Sequence, residues 1–229
     1  MIRVGITTIP ERMPFLDQTI NSLLNQTVKP DAIFLNLPER SRQGKVYPKY
    51  TPANELVVVN RCTDMGPITK LFPLLCISEP DDVIILVDDD NIYNEYTIET
   101  LLKGLESFPA VGFAGRIPQK RGLRFISNVP RATKATFLET FSAVAYKRWA
   151  LKDEGAVVDI LFRCYDSVYC DDIVVGAILK KPPYIIPNGK CQVHYNHATC
   201  DTPRLSAINL SGRNEEVYEC VSSLLVKQV

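Results

Sequence analysis

The chain has 229 residues, enough for one large domain with a substantial core, and its 26 Lys plus Arg balance 26 Asp plus Glu. A formal net charge of zero offers no broad field to nucleic acid or an anionic membrane, so any polyanion it recognises must be small and met locally. The opening residues lack a charged segment followed by a long apolar one, and no later segment is long enough to cross a bilayer, which predicts a cytoplasmic protein with no membrane span.

Through the first half, apolar runs alternate with helix-periodic segments, the pattern of a parallel sheet wound with helices. Residues 3–8 read as a strand. From 14 to 25 apolar side chains recur at 15, 16, 20, 23 and 24, a helical stripe, and Pro30 closes the connection to a strand over 32–37. A polar loop over 38–54, with three prolines, leads to a strand over 55–59, a helix over 68–77 and a strand over 82–87. A helix over 96–108 and a short strand over 111–114 follow. Beyond 115 the pattern predicts a mixed, partly antiparallel half: strands near 124–127, 135–138 and 141–146, a loop over 152–170, a helix over 172–180, and strands near 184–186 and 191–195. A last helix over 214–226 ends abruptly, the expectation for one domain of a longer chain. Seven cysteines, an odd number, suit reduced thiols better than a disulfide framework.

The most informative junction is Val83-Ile84-Ile85-Leu86-Val87 running into Asp88-Asp89-Asp90. An apolar run of that length reads as a strand buried on both faces, which puts three carboxylates at its C-terminal edge, where open α/β sheets bind ligands. Adjacent carboxylates repel one another in a partly closed cleft unless a cation such as Mn²⁺ or Mg²⁺ takes their oxygens. A solvated acidic turn is the plainer alternative, and the buried strand in front of it argues against that.

Four further segments carry chemistry. After the first strand, Thr7-Thr8-Ile9-Pro10-Glu11-Arg12 offers backbone N–H groups, hydroxyls and a guanidinium to a base or diphosphate, although capping by Thr8 with a solvent-facing Arg12 would use the same residues. In Asp64-Met65-Gly66-Pro67-Ile68-Thr69-Lys70 the Gly-Pro pair forces a turn, Asp64 can accept from a ribose or base edge, and Lys70 can point a cation at phosphate. Asp171-Asp172 opens a helix, where acidic residues serve the helix dipole, and either could instead be a general base on an acceptor hydroxyl. The segment from Cys191 to Cys200 holds both histidines, His194 and His197. Four ligands within ten residues would strain a zinc tetrahedron, so a histidine completing the Asp88–Asp90 metal site is the stronger expectation, and imidazole beside carboxylates favours Mn²⁺.

In this order the residues resemble GT-A glycosyltransferases, family-2-like, that use a nucleotide-diphosphate sugar and a divalent metal. They also resemble the compact glycosyltransferase domains of chlorella viruses. The resemblance rests on TTIPER, QTVKPDAIFLNLP, DMGPITK, VDDDN as the DXD motif, ETFSAVAYKRWAL, CDDI and a late histidine. It implies a single Rossmann-like α/β domain, with residues 1–114 binding the donor and 115–229 forming a smaller mixed, acceptor-side portion. It implies that Thr7, Thr8, Ile9, Arg12, Asp64, Lys70, Asp88 and Asp89 bind the nucleotide sugar, with Lys70 neutralising diphosphate. Asp90 and Asp88 would bind metal with His194 or His197, and Asp171 or Asp172 would face the reacting centre. The implied reaction moves a sugar, from UDP by expectation, to a glycan, glycoprotein or other hydroxyl acceptor. A sugar-nucleotide nucleotidyltransferase would open with a glycine-rich loop, and ITTIPER has none. A non-catalytic sugar-binding module would not need the acidic triplet, Lys70 and the histidines together.

Overall fold

The computed structural model describes residues 1–120, 122–191, 193–202 and 212–226. In chain order the strands are β1 (Ile2–Ile6), β2 (Ala32–Pro38), β3 (Val57–Cys62), β4 (Val83–Leu86), β5 (Asn91–Ile92), β6 (Ala110–Gly112), β7 (Ala114–Pro118), β8 (Leu123–Ser127), β9 (Thr133–Lys134), β10 (Phe137–Leu138), β11 (Val144–Lys147), β12 (Tyr184–Ile185) and β13 (His194–Tyr195). The α-helices are α1 (Leu16–Leu24), α2 (Phe72–Ile77), α3 (Thr97–Ser107), α4 (Glu154–Arg163), α5 (Asp171–Ile178) and α6 (Asn214–Val226).

The protein is α/β. Eight strands form one sheet in the order β3-β2-β1-β4-β11-β6-β12-β9, joined by a three-stranded sheet β10-β7-β8 and a two-stranded pair β13-β5. The first four strands of that order are parallel, and β11 pairs antiparallel with both β4 and β6. Helices cover both faces because β1, β2 and β4 are apolar on both. In β4 and just beyond it, Ile84 and Leu86 join a cluster with residues of α2, α4, α5 and α6, while Ile85 and Val87 join one with residues of α1 and α3. Gly5 in β1 is required by close approach: a Cβ there would lie 2.2 Å from the Lys70 carbonyl oxygen.

The structure corrects several sequence expectations. The loop over 152–170 contains α4, whose buried Val157 and Ile160 carry a helical period that Gly155 and the exposed Val158 and Phe162 obscure. The third strand lies at Val57–Cys62 rather than 55–59, and runs through polar Asn60, which donates to Asn36 Oδ1 at 2.9 Å. The strand expected over 141–146 starts only at Val144, after a single turn over Thr140–Ser142. Of 191–195 only His194–Tyr195 is strand, and residue 192 lies outside the described residues. The cysteines are not all reduced: Cys164 and Cys220 are disulfide-bonded, because α6 packs beside the end of α4 and brings their Cα atoms within 6.1 Å. Spacing in sequence carries no trace of that docking. No helix among the described residues is long and apolar enough to cross a membrane.

Asp82 anchors the start of β4. It accepts from the Met1 amino group and from Arg3 Nε, both at 2.7 Å, and from the Glu79 backbone N–H at 2.9 Å. Burial by itself would raise its pKa, but these bonds outweigh burial and bring it down to about 2. A carboxyl depressed on folding contributes stability that is present above about pH 4 and lost as pH falls toward about 2. Asp82→Asn is therefore expected to lower the unfolding free energy by about 2 kcal/mol at neutral pH. Urea titrations of both proteins should converge in acid.

Candidate active site

From β1 the chain winds outward to β2 and β3, then crosses back to lay β4 on the opposite side of β1. This reversal is a topological switch point, and it opens a crevice beyond the C-terminal ends of β1 and β4. Thr7 and Thr8 follow β1, and Asp88, Asp89 and Asp90 follow β4. A cleft of about 780 Å³ lies there, lined by Thr7, Thr8, Ile9, Arg12, Asp64, Lys70, Asp88, Asp89, Asp90, Asp171 and Asp172.

Each acidic residue of the triplet has a different partner. Asp89 is buried and turned back into the protein, accepting from Thr8 Oγ1 and from an Arg12 guanidinium N–H at 2.6 Å. The turn itself is held by Thr19, whose buried hydroxyl shares its one proton between the backbone carbonyls of Asp89 (2.9 Å) and Asn91 (2.8 Å). Asp88 forms an ion pair with Lys70, and the Tyr93 hydroxyl accepts from its backbone N–H at 2.9 Å. Asp90 faces the cleft with weaker compensation, Arg12 at 3.2 Å and Asn91 Nδ2 at 3.3 Å. Burial, with Asp88 and Asp89 as like-charged neighbours, pushes its carboxyl up to about 6 against the pull of Arg12 and Lys70. This is the group in the triplet that a cation would most relieve.

Lys70 links the triplet to the acidic pair. Only 3% exposed, its ammonium reaches Asp88, Asp171 Oδ2 at 2.9 Å and Thr140 Oγ1 at 3.0 Å. Burial would lower its pKa, but Asp171, Asp88 and Asp172 more than offset this and hold it well above the ordinary lysine value. Its charge is thus directed at carboxylates. Asp172 accepts from the Thr140 backbone N–H at 2.9 Å, and burial, then Asp171 and Glu139, raise it well above the carboxylate range. Asp64 closes its own turn, accepting from the backbone N–H of Gly66 and of Arg42, both at 2.8 Å. Gly66 adopts φ +75, and a Cβ there would lie 2.3 Å from the Val168 carbonyl oxygen, so glycine is the residue that fits between this turn and the segment leading to Asp171.

The histidines stand apart. The β13 backbone does reach the triplet, since it pairs with β5 and the Asn196 N–H donates to the Asp90 carbonyl at 2.8 Å. Strand alternation, however, lines the cleft with Tyr195 and leaves His194 exposed, while exposed His197 sets its ring edge-on to Tyr195 at 5.7 Å. Cys191 is buried against Thr100 and Cys200 is exposed, so the Cys-His-His-Cys set does not converge. Among the described residues no group of three or more His, Cys, Asp or Glu is placed to hold a metal. Of the triplet, Asp88 and Asp90 are the two that remain part-exposed on the cleft.

Sequence reasoning missed Thr140, which bridges Lys70 and the acidic pair, and Tyr93 beneath Asp88. A threonine in ETFSA and a tyrosine in NIYNEY carry no charge pattern that could have marked them.

No protein-family model matches the chain, and no curated protein matches it. Among solved structures it is similar to the 2-C-methyl-D-erythritol 4-phosphate cytidylyltransferase IspD of Francisella tularensis, at 12% identity and TM-score 0.43 over 72% of this chain and 78% of that one. It is also similar to S. aureus TarS 1–349 in complex with UDP, at 12% identity and TM-score 0.46 over 78% of this chain and 54% of that one. For a second crystal structure of S. aureus TarS 1–349 the identity is 12% and the TM-score 0.44, over 79% of this chain and 56% of that one. The chain spans about half the length of these two TarS chains.

Proposed function

We propose that this chain is a metal-dependent hexosyltransferase of the GT-A type. It would move a sugar from a nucleotide-diphosphate sugar, a UDP-sugar in this reading, to a hydroxyl of a glycan or glycoprotein. One observation carries the reading: the switch-point cleft gathers the turn after β1, Asp64, the Asp88–Asp90 triplet and the Asp171–Asp172 pair from across the chain. Thr7, Ile9 and Asp64 would line the nucleotide end, with Arg12 and Thr8 bracing Asp89 so that the triplet keeps its shape. Asp90 with Asp88 would hold Mn²⁺ or Mg²⁺, which when bound supplies positive charge for the leaving diphosphate.

In the transfer, the acceptor oxygen bonds to the anomeric carbon as the bond from that carbon to the β-phosphate oxygen breaks. The electron pair leaves with UDP, and the acceptor proton passes to a carboxylate. Asp172, which lines the cleft, suits that role better than Asp171, which is committed to Lys70; burial and the neighbouring Asp171 raise its carboxyl and so its basicity. Direct displacement of this kind inverts the anomeric centre. Lys70 acts in this reading as a positioning residue for Asp88 and Asp171, in place of the phosphate contact that the resemblance implied.

Hydrolysis of a panel of UDP-sugars, assayed with Mn²⁺ and with chelator, tests the reading directly. Manganese-dependent release of UDP is expected, and Asp172→Asn should cut it by roughly 10²–10⁴ while leaving UDP affinity within about twofold. Absence of turnover for every donor in the panel would refute the assignment, and full activity of Asp172→Asn would refute the base.

A further inference from the structure

On the side of β4 away from β1, the same cleft changes character. Phe125 on β8 and Phe141 in the turn before β11 stack at 6.3 Å between centroids with planes 24° apart, and they remain 44% and 39% exposed. Both line the cleft. The Arg116 guanidinium lies 5.8 Å from the Phe125 ring and pairs with Glu139, which also lines the cleft. The turn bearing Phe141 is held on both sides. Its carbonyl accepts from Asn91 Nδ2 at 3.1 Å, beside the acidic triplet, and the Thr140 N–H donates to Asp172.

The two rings are in contact and both open on the cleft, among carboxylates and a guanidinium, so together they form a small apolar patch inside the site rather than isolated surface residues. The matching ligand needs a small apolar face, on the scale of one ring, and a polar rim. The Glu139 carboxylate and the Arg116 guanidinium, both lining the cleft, offer acceptors and donors for that rim. A pyranose has this form, with C–H groups on its face and hydroxyls around its edge. An acyl chain would require a long continuous apolar groove, and the nucleobase in the reading above lies across β4, by Thr7 and Asp64.

We propose that Phe125 and Phe141 are the acceptor subsite and that the acceptor is itself a sugar, packing its C–H face against the exposed part of this stacked pair, on the turn whose Thr140 N–H donates to Asp172. The acceptor role rests on the glycosyl-transfer reading, whereas binding of a carbohydrate by the rings can be measured without it. Ligand-observed NMR with methyl β-D-glucopyranoside, methyl β-D-galactopyranoside, maltotriose and cellotriose, with and without UDP plus Mn²⁺, is the test. At least one glycan should bind, and Phe125→Leu and Phe141→Leu should each weaken it about tenfold, the usual scale of an aromatic contact. Phe141→Tyr should retain binding, and UDP affinity should stay within about twofold of wild type in all three variants, which also reports an intact cleft. Glycan binding indifferent to both leucine variants would overturn the proposal. So would no binding of the four glycans to a protein that binds UDP, or displacement of the bound glycan by uridine alone. Failure of UDP to bind while ring-dependent glycan binding persists would instead sink the donor assignment and leave the carbohydrate subsite standing.

Discussion

Asp90→Ala is expected to abolish manganese-dependent turnover, by a factor on the order of 10³ or more, while making the metal-free protein more stable. The two effects share one cause. Several kcal/mol of leaving-group stabilisation from a bound cation corresponds to about 10³ in rate. Without a cation, the same carboxylate is held in a half-closed turn beside Asp88 and Asp89, with its pKa pushed up to about 6. A carboxyl raised on folding destabilises the native state once ionised, and that penalty grows between about pH 4 and pH 6 and is complete above it. Removing the group at neutral pH should therefore raise the unfolding free energy by about 1–3 kcal/mol. Thermal unfolding with and without Mn²⁺ separates the outcomes. Wild type should gain from the metal and Asp90→Ala should not, since binding stabilises only the form that binds. Substantial surviving activity in the variant would refute the metal role.

Lys70→Met should be among the most damaging single changes to stability in the cleft. The ammonium is shared by Asp88 and Asp171, and removing it strands two carboxylates, Asp171 being buried, without their cation. Breaking a buried pair in this way typically costs about 3–5 kcal/mol, because the orphaned charge has lost both water and partner. A lysine that served only to meet a diphosphate would act differently, sparing the fold and weakening donor binding alone. Urea unfolding in the absence of any nucleotide decides between them. A loss below about 1 kcal/mol would return Lys70 to the phosphate. Measured on the same protein, turnover should also fall, since Asp171 and Asp88 lose the group that positions them.

Much of the cleft was legible because it is built from strand ends. A run such as Val83–Val87 announces a buried strand through composition alone, and the residue after it must emerge at the sheet edge. Thr7, Asp64 and Asp88 could be assigned to one side of one sheet by the same logic. The histidines resisted it. His194 lies on a two-residue strand, and whether it or Tyr195 faces the cleft depends on the register of β13 against β5, which nothing in the sequence specifies. Lys70 shows the same limit from another direction. Its position one turn beyond Gly66-Pro67 was readable, but its burial depends on Gly5, which lets β1 approach the Lys70 backbone, and on Thr140, which comes from 70 residues away.

Sequence by itself determined the α/β class, the winding of the first half and the acidic edge of β4, since each follows from local periodicity and the chemistry of neighbouring residues. Only the tertiary structure decided which carboxylate is paired with Lys70 and which faces the cleft with weaker partners, that Cys164 meets Cys220, and that Phe125 stacks on Phe141. Those are pairings between distant segments. Their energies depend on distance and burial, quantities that exist only once the chain has folded.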